Sequence, residues 1–178
     1  MSVQDLKSRL PDYAKDIKLN LSAVLSEEGA EGLSQRQIYG IALASAYATR
    51  NKTVIESLTL ETEDKITTEE MTAAKAAATI MGMNNVYYRF THMVSDTDYR
   101  KLPAKLRMNV IGRPGIEKVD FELYSLAVSA INGCAMCIEA HVHEVLKAGI
   151  SKTGIQSAIR IAAVISAAAQ VLTIEDYS

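Results

Sequence analysis

Along most of this chain apolar residues recur at every third or fourth position, the period of one face of a helix. Alternation with polar residues over a strand's length occurs nowhere. Start and stop signals divide the pattern. Pro11 suits the first position of a helix whose face carries Tyr13, Ile17 and Leu21. "SQRQ" at 34–37 has the form of a capping box and opens a helix through Ala48. "TTEE" at 67–70 opens another, running to about Phe90. The stretch 95–115, with Pro103, Pro114 and two glycines, reads as a connector. Helical spacing resumes over 117–131, Asn132-Gly133 stops it, and a new helix occupies 134–147. Gly149 ends that helix and Ser151 caps the last one. The pattern predicts an all-α fold.

A shift of 84 residues lays "ALASAYATRNKTVIESL" (42–58) on "LAVSAINGCAMCIEAHV" (126–142) without a gap. Ser45-Ala46 then meets Ser129-Ala130, and "DKIT" (64–67) meets "AGIS" (148–151), where both segments cap an alanine-rich helix. This suggests a single domain over 1–178 built from two copies of a helical unit, at about 34–92 and 117–176. In that register Cys134 meets Arg50, Cys137 meets Thr53, His141 meets Ser57 and Glu122 meets Ile38. The second copy holds the chemistry and the first is scaffold.

Composition narrows the function. With 178 residues, 48% hydrophobic, the chain is long enough for one well-buried core. No basic cluster exceeds two residues and the net charge is −2, which argues against nucleic acid as a partner. The longest apolar run, "IAAVISAAAQVL" (161–172), is too short for a membrane span, and the charged start of the chain does not resemble a signal peptide. A cytoplasmic protein is expected. Thiols stay reduced there, so a close cysteine pair is more often catalytic or metal-binding than a static cross-link.

Both cysteines and two of the three histidines fall in "SAINGCAMCIEAHVHE" (129–144). On a helix Cys134, Cys137 and His141, at i, i+3 and i+7, share one face. His141 lies one turn from Cys137, the spacing of a direct or water-bridged hydrogen bond. Cys134 follows the helix stop, so unpaired N–H groups and the helix dipole favour its thiolate. Glu122, in the preceding helix, is placed to orient His141 in a carboxylate–imidazole–thiol relay if the two helices fold back on one another. Other readings remain. Zinc would need Glu122 or His143 as a fourth ligand beside Cys134, Cys137 and His141. Covalent haem requires a histidine directly after the second cysteine, and Ile138 stands there. Two inert buried thiols would need no chemistry. His143 points elsewhere, His92 stands alone, and Met81, Met83 and Tyr87 read as core.

"FELYSLAVSAINGCAMCIEAHVHEVLKAGI" (121–150) resembles the signature of the alkyl hydroperoxidase D (AhpD) family, within the carboxymuconolactone decarboxylase-like superfamily. The likeness extends to "PDYAKDIKLNLS", "IMGMNNVYYR" and "RMNVIGRPGIEK". The resemblance implies an all-helical fold with a duplicated unit, a homotrimer, and a thiol peroxidase and disulfide reductase acting on alkyl hydroperoxides. It implies no bound cofactor or metal. The reductant would be the lipoyl group of a carrier, a lipoylated dihydrolipoamide acyltransferase, and the peroxiredoxin AhpC would be a partner. Carried over, Cys137 is the peroxide-attacking cysteine. Cys134 is the more accessible thiol that closes the disulfide and takes electrons from dihydrolipoamide, and His141 and Glu122 form the proton relay. Met136 departs from the pattern, since relatives place a histidine there. By helical geometry it faces a neighbouring helix, a subunit contact or the mouth of the site. The alternatives are a reductase that mainly recycles AhpC and a zinc-stabilised helical interaction module.

Overall fold

The computed structural model describes residues 2–177; Met1 and Ser178, the ends of the predicted 1–178 domain, lie outside the described residues. Among the described residues the secondary structure is helical throughout. Ser2 and Asp5 form a capping box, with the Ser2 N–H donating to the Asp5 carboxylate at 2.8 Å and the Asp5 N–H donating to Ser2 Oγ at 3.2 Å. They open α1 (Val3–Ser8), a helix that the apolar spacing did not assign because it is under two turns long. Pro11 does not begin an α-helix. Its backbone is extended (ψ 172°) and it caps a single 3-10 turn, Asp12–Ala14, before α2 (Lys15–Val24). Tyr13, expected on the buried face, is 65% exposed, and its hydroxyl donates to Glu175 at 2.8 Å.

From there the segments opened by "SQRQ" and "TTEE" appear as α3 (Gln35–Thr49) and α5 (Thr68–Met93), with α4 (Lys52–Thr62) between them. The connector contains a 3-10 turn, Thr97–Arg100, and the short α6 (Asn109–Gly112). Then come α7 (Lys118–Asn132), α8 (Ala135–Lys147) and α9 (Lys152–Asp176). Both predicted capping boxes form. In each, the capping hydroxyl of Ser34 or Thr67 accepts an N–H three residues on, and Gln37 or Glu70 reaches back to the cap's own N–H.

Helices α3 and α7 are the centre of the molecule. Every residue of 38–46 and of 121–129 is buried, the condition of a helix surrounded on all sides. α5 and α9 each pack against both, α2 lies on α9, α1 on α4, and α8 on α7 and α5. Gly40 marks a close approach of α3 and α7, because a Cβ there would run into the Tyr124 phenol ring. α9 is long and apolar enough to cross a membrane by length and composition. Its Ile161, Ile165 and Leu172 are instead buried in this core.

The helix starts repeat along the chain, in a register that differs from the gapless one. Caps Ser34 and Asn51 precede caps Glu117 and Cys134 by 83 residues, as do the buried runs 38–46 and 121–129. Only caps Thr67 and Ser151 stand 84 apart. The chain between the second and third caps is one residue longer in the second half, and a shift without gaps conceals this. By cap position Cys134 corresponds to Asn51 rather than Arg50, Cys137 to Val54 rather than Thr53, His141 to Leu58 rather than Ser57, and Glu122 to Tyr39 rather than Ile38.

Candidate active site

α7 ends as the sequence predicts. Gly133 takes the left-handed conformation (φ 68°), its N–H bonding the Ala130 carbonyl at 3.2 Å and the Cys134 N–H bonding that of Ser129 at 3.2 Å. The turn is held to α5 as well. Arg89 donates to the Asn132 carbonyl at 2.6 Å, Asn132 donates to Asn85 Oδ1 at 2.9 Å, and Asn85 donates to Ser129 Oγ at 2.9 Å. Cys134 therefore begins α8 at a fixed place. It is the N-cap, and its Sγ accepts the Cys137 backbone N–H at 3.3 Å. The two cysteines are joined in a disulfide.

One turn beyond Cys137, His141 is buried together with Glu122, which α7 supplies from across the turn. His141 Nδ1 and Glu122 Oε2 are 2.6 Å apart. An ionised carboxylate only accepts, so Nδ1 carries the proton and donates it. In the neutral ring Nε2 is then the basic nitrogen. Its neighbour at 3.3 Å is Met81 Sδ, a weak acceptor with no proton to give. The four residues singled out from the spacing, Cys134, Cys137, His141 and Glu122, stand on two adjacent helices, α7 and α8.

Cys137 and His141 open onto a cavity of about 320 Å³, which is lined also by Met81, Asn84, Tyr88, Met108, Ile111, Met136 and Ala140. The wall is mostly apolar side chain and thioether. Among its polar groups, Asn84 has its Oδ1 shut away from water with no hydrogen-bond partner among the described residues. Met136 lies on this wall, the last of the three placements expected for it. Met81, read as core, is indeed buried, yet it also touches the imidazole. Asn84, Tyr88, Met108 and Ile111 fall in the two segments that share the family likeness, but their residue types gave no sign of a place in the site. The connector supplies Met108 and Ile111, and the Tyr88 hydroxyl contacts Met108 Sδ at 3.9 Å.

Contrary to the expectation of a more accessible Cys134, that residue is 0% exposed and absent from the cavity wall, while Cys137 is 7% exposed and lines it. Both residues are buried; Cys134 stands at the pinned turn, and Cys137, one turn later, contributes to the cavity wall. His143 is exposed and bonds only its neighbour Glu144, as expected for a surface residue. No group of three or more His, Cys, Asp and Glu suited to a metal occurs among the described residues. The cysteines are engaged with one another and Glu122 with His141, so this donor set does not favour the zinc module.

Residues 97–174 match the carboxymuconolactone decarboxylase family. Over 174 residues the chain is 58% identical to the alkyl hydroperoxide reductase AhpD of Coxiella burnetii (strain RSA 493 / Nine Mile phase I), covering 98% of each chain. It is 56% identical over 175 residues to that of Rhodospirillum centenum (strain ATCC 51521 / SW), covering 98% of this chain and 92% of the relative. It is 53% identical over 176 residues to that of Brucella suis (strain ATCC 23445 / NCTC 10510), covering 99% of each.

Proposed function

The chain belongs to the AhpD family of alkyl hydroperoxide reductases, within the carboxymuconolactone decarboxylase family, and from that premise we propose that it reduces organic hydroperoxides with Cys137 and Cys134. The observation that carries the reading is the Glu122–His141 pair at 2.6 Å, with the imidazole and Cys137 on the wall of one cavity. His141 Nε2 takes the Cys137 proton, and the buried Glu122 carboxylate supports the imidazolium. The thiolate attacks the terminal oxygen of R–O–O–H, the O–O bond breaks, and the alkoxide leaves as ROH with the proton from His141. Cys137 is left as a sulfenic acid. The Cys134 thiol condenses with it, water departs, and a disulfide remains. The apolar wall suits an alkyl group beside the peroxide.

A dithiol returns the pair to its reduced state. The dihydrolipoyl group of a lipoylated dihydrolipoamide acyltransferase is the reductant in this reading, with AhpC as a peroxiredoxin partner, a homotrimer as the assembly and the cytoplasm as the place of action. The protein binds no cofactor of its own. In the alternative, the protein mainly recycles AhpC and uses the same disulfide without meeting peroxide. The chain also arises, in this account, from two copies of a helical unit, at about 34–92 and 117–176. Coincident caps and buried runs support it, and the first copy carries Asn51, Val54 and Leu58 where the second carries Cys134, Cys137 and His141.

The test begins from reduced protein and one equivalent of an organic hydroperoxide. Mass spectrometry should find a single Cys134–Cys137 bond, one equivalent of alcohol formed, and both thiols restored by dihydrolipoamide. Intact thiols after peroxide would exclude the peroxidase and leave the AhpC-recycling alternative.

A further inference from the structure

One polar side chain on the cavity wall has no task in the Glu122–His141–Cys137 relay. Asn84 is 4% exposed and lines the cavity with Cys137 and His141, and its Oδ1 has no hydrogen-bond partner among the described residues. The other polar groups there are engaged. His141 Nδ1 faces Glu122 at 2.6 Å, and the Tyr88 hydroxyl contacts Met108 Sδ at 3.9 Å. A buried amide left unpaired lowers stability, a cost that an apolar side chain at the same place would avoid. We propose that Asn84 binds the hydroperoxide, its amide N–H donating to the alkoxy oxygen that becomes the leaving alkoxide; this rests on the peroxide reduction proposed above.

Position and chemistry both support the assignment. Asn84 follows Met81 by three residues, so the two share one face of α5, and Met81 Sδ stands 3.3 Å from His141 Nε2. The amide thus belongs to the next turn of the helix wall that meets the imidazole. Among the described residues no hydrogen bond fixes which end of the amide faces the cavity, and a half-turn about χ2 presents its N–H to a guest. The step balances as follows. The Cys137 thiolate bonds to the terminal oxygen, the O–O bond breaks, and its electron pair goes to the alkoxy oxygen. That oxygen takes the proton held on His141 Nε2 and leaves as ROH. Asn84 neither gains nor loses a proton. Its N–H meets an oxygen whose negative charge grows only as the O–O bond breaks, so it lowers the barrier more than it tightens binding of the intact peroxide.

Single-turnover oxidation of the reduced protein tests this, with two oxidants that differ in their leaving group. The first, tert-butyl hydroperoxide, expels a strongly basic alkoxide, whereas peracetic acid expels a carboxylate that needs little help. In Asn84→Ala, oxidation by tert-butyl hydroperoxide should slow by about 10²-fold, and that by peracetic acid by less than about threefold. Reduction of the disulfide by dihydrolipoamide should stay within about twofold of the unmutated rate, which general damage to the site would not allow. Asn84→Leu carries the same comparison if the alanine variant folds poorly. Equal slowing with both oxidants, or no slowing with either, would overturn the assignment and leave the peroxide chemistry standing. If the unmutated protein forms no alcohol from tert-butyl hydroperoxide, the peroxidase reading falls and this inference with it.

Discussion

Glu122 acts at one atom, holding His141 Nδ1, so its replacement tests the relay with little disturbance of packing. Glu122→Gln keeps size and hydrogen bonding while removing the charge that supports an imidazolium. Single-turnover oxidation by peroxide should slow by about 10²-fold with helix content unchanged. Asn84 makes a second case. Its carbonyl oxygen is buried without a partner, an arrangement that lowers stability. Thermal melts of Asn84→Leu should therefore show a Tm no lower than that of the unmutated protein. Asp120 is a third. Burial, more than any other influence, raises its carboxyl pKa above the ordinary value, against the Gln37 hydrogen bond that lowers it. A raised folded pKa contributes stability that is fully present below the unfolded value and lost as pH rises through the folded one. Asp120→Asn should consequently raise Tm at pH 7 and lose that advantage near pH 3, where aspartate is itself protonated. The four proposed site residues could be picked out of the sequence because they lie within twenty positions, on two helices joined by a tight turn. Met81, Asn84 and Tyr88 were not, since they reach the cavity from α5 and share the spacing of ordinary core residues. The burial of Cys134 was also hidden, because the pinning comes from Arg89 and Asn85, far away in sequence.

At the scale of elements, caps decided what could be read. Ser34, Thr67 and Ser151 each declare a helix start by a side chain that satisfies a backbone N–H three residues on, and the structure agrees at all three. α1 carries the same signal in Ser2 and Asp5, and attention to caps rather than to apolar period would have found it. Pro11 misled because the fixed φ of proline serves an extended cap as well as a first helical turn. The crossing of α3 and α7 gives the element-scale prediction. Gly40→Ala drives a methyl group into Tyr124, a ring that is fully buried and cannot swing aside. Overpacking of this kind costs about 1–3 kcal/mol, and chemical denaturation should show it as a lower midpoint with unchanged slope.

At the scale of the whole molecule, the two central helices do different work with the same burial. α3 is packing throughout, whereas α7 also lends Glu122 to the site and ends in the turn that sets Cys134. The all-α architecture was legible from periodicity, but its centre was not, because α3 and α7 are no more apolar in pattern than α9. The cavity at Cys137 also has a bearing on steady-state behaviour. In the proposed cycle peroxide meets the dithiol form and the carrier meets the disulfide form, one after the other, so the protein alternates between two forms that accept different visitors. Initial-rate plots against peroxide at several carrier concentrations should be parallel lines. At high concentration each substrate should become a competitive inhibitor of the other, blocking the doorway of the form it cannot react with.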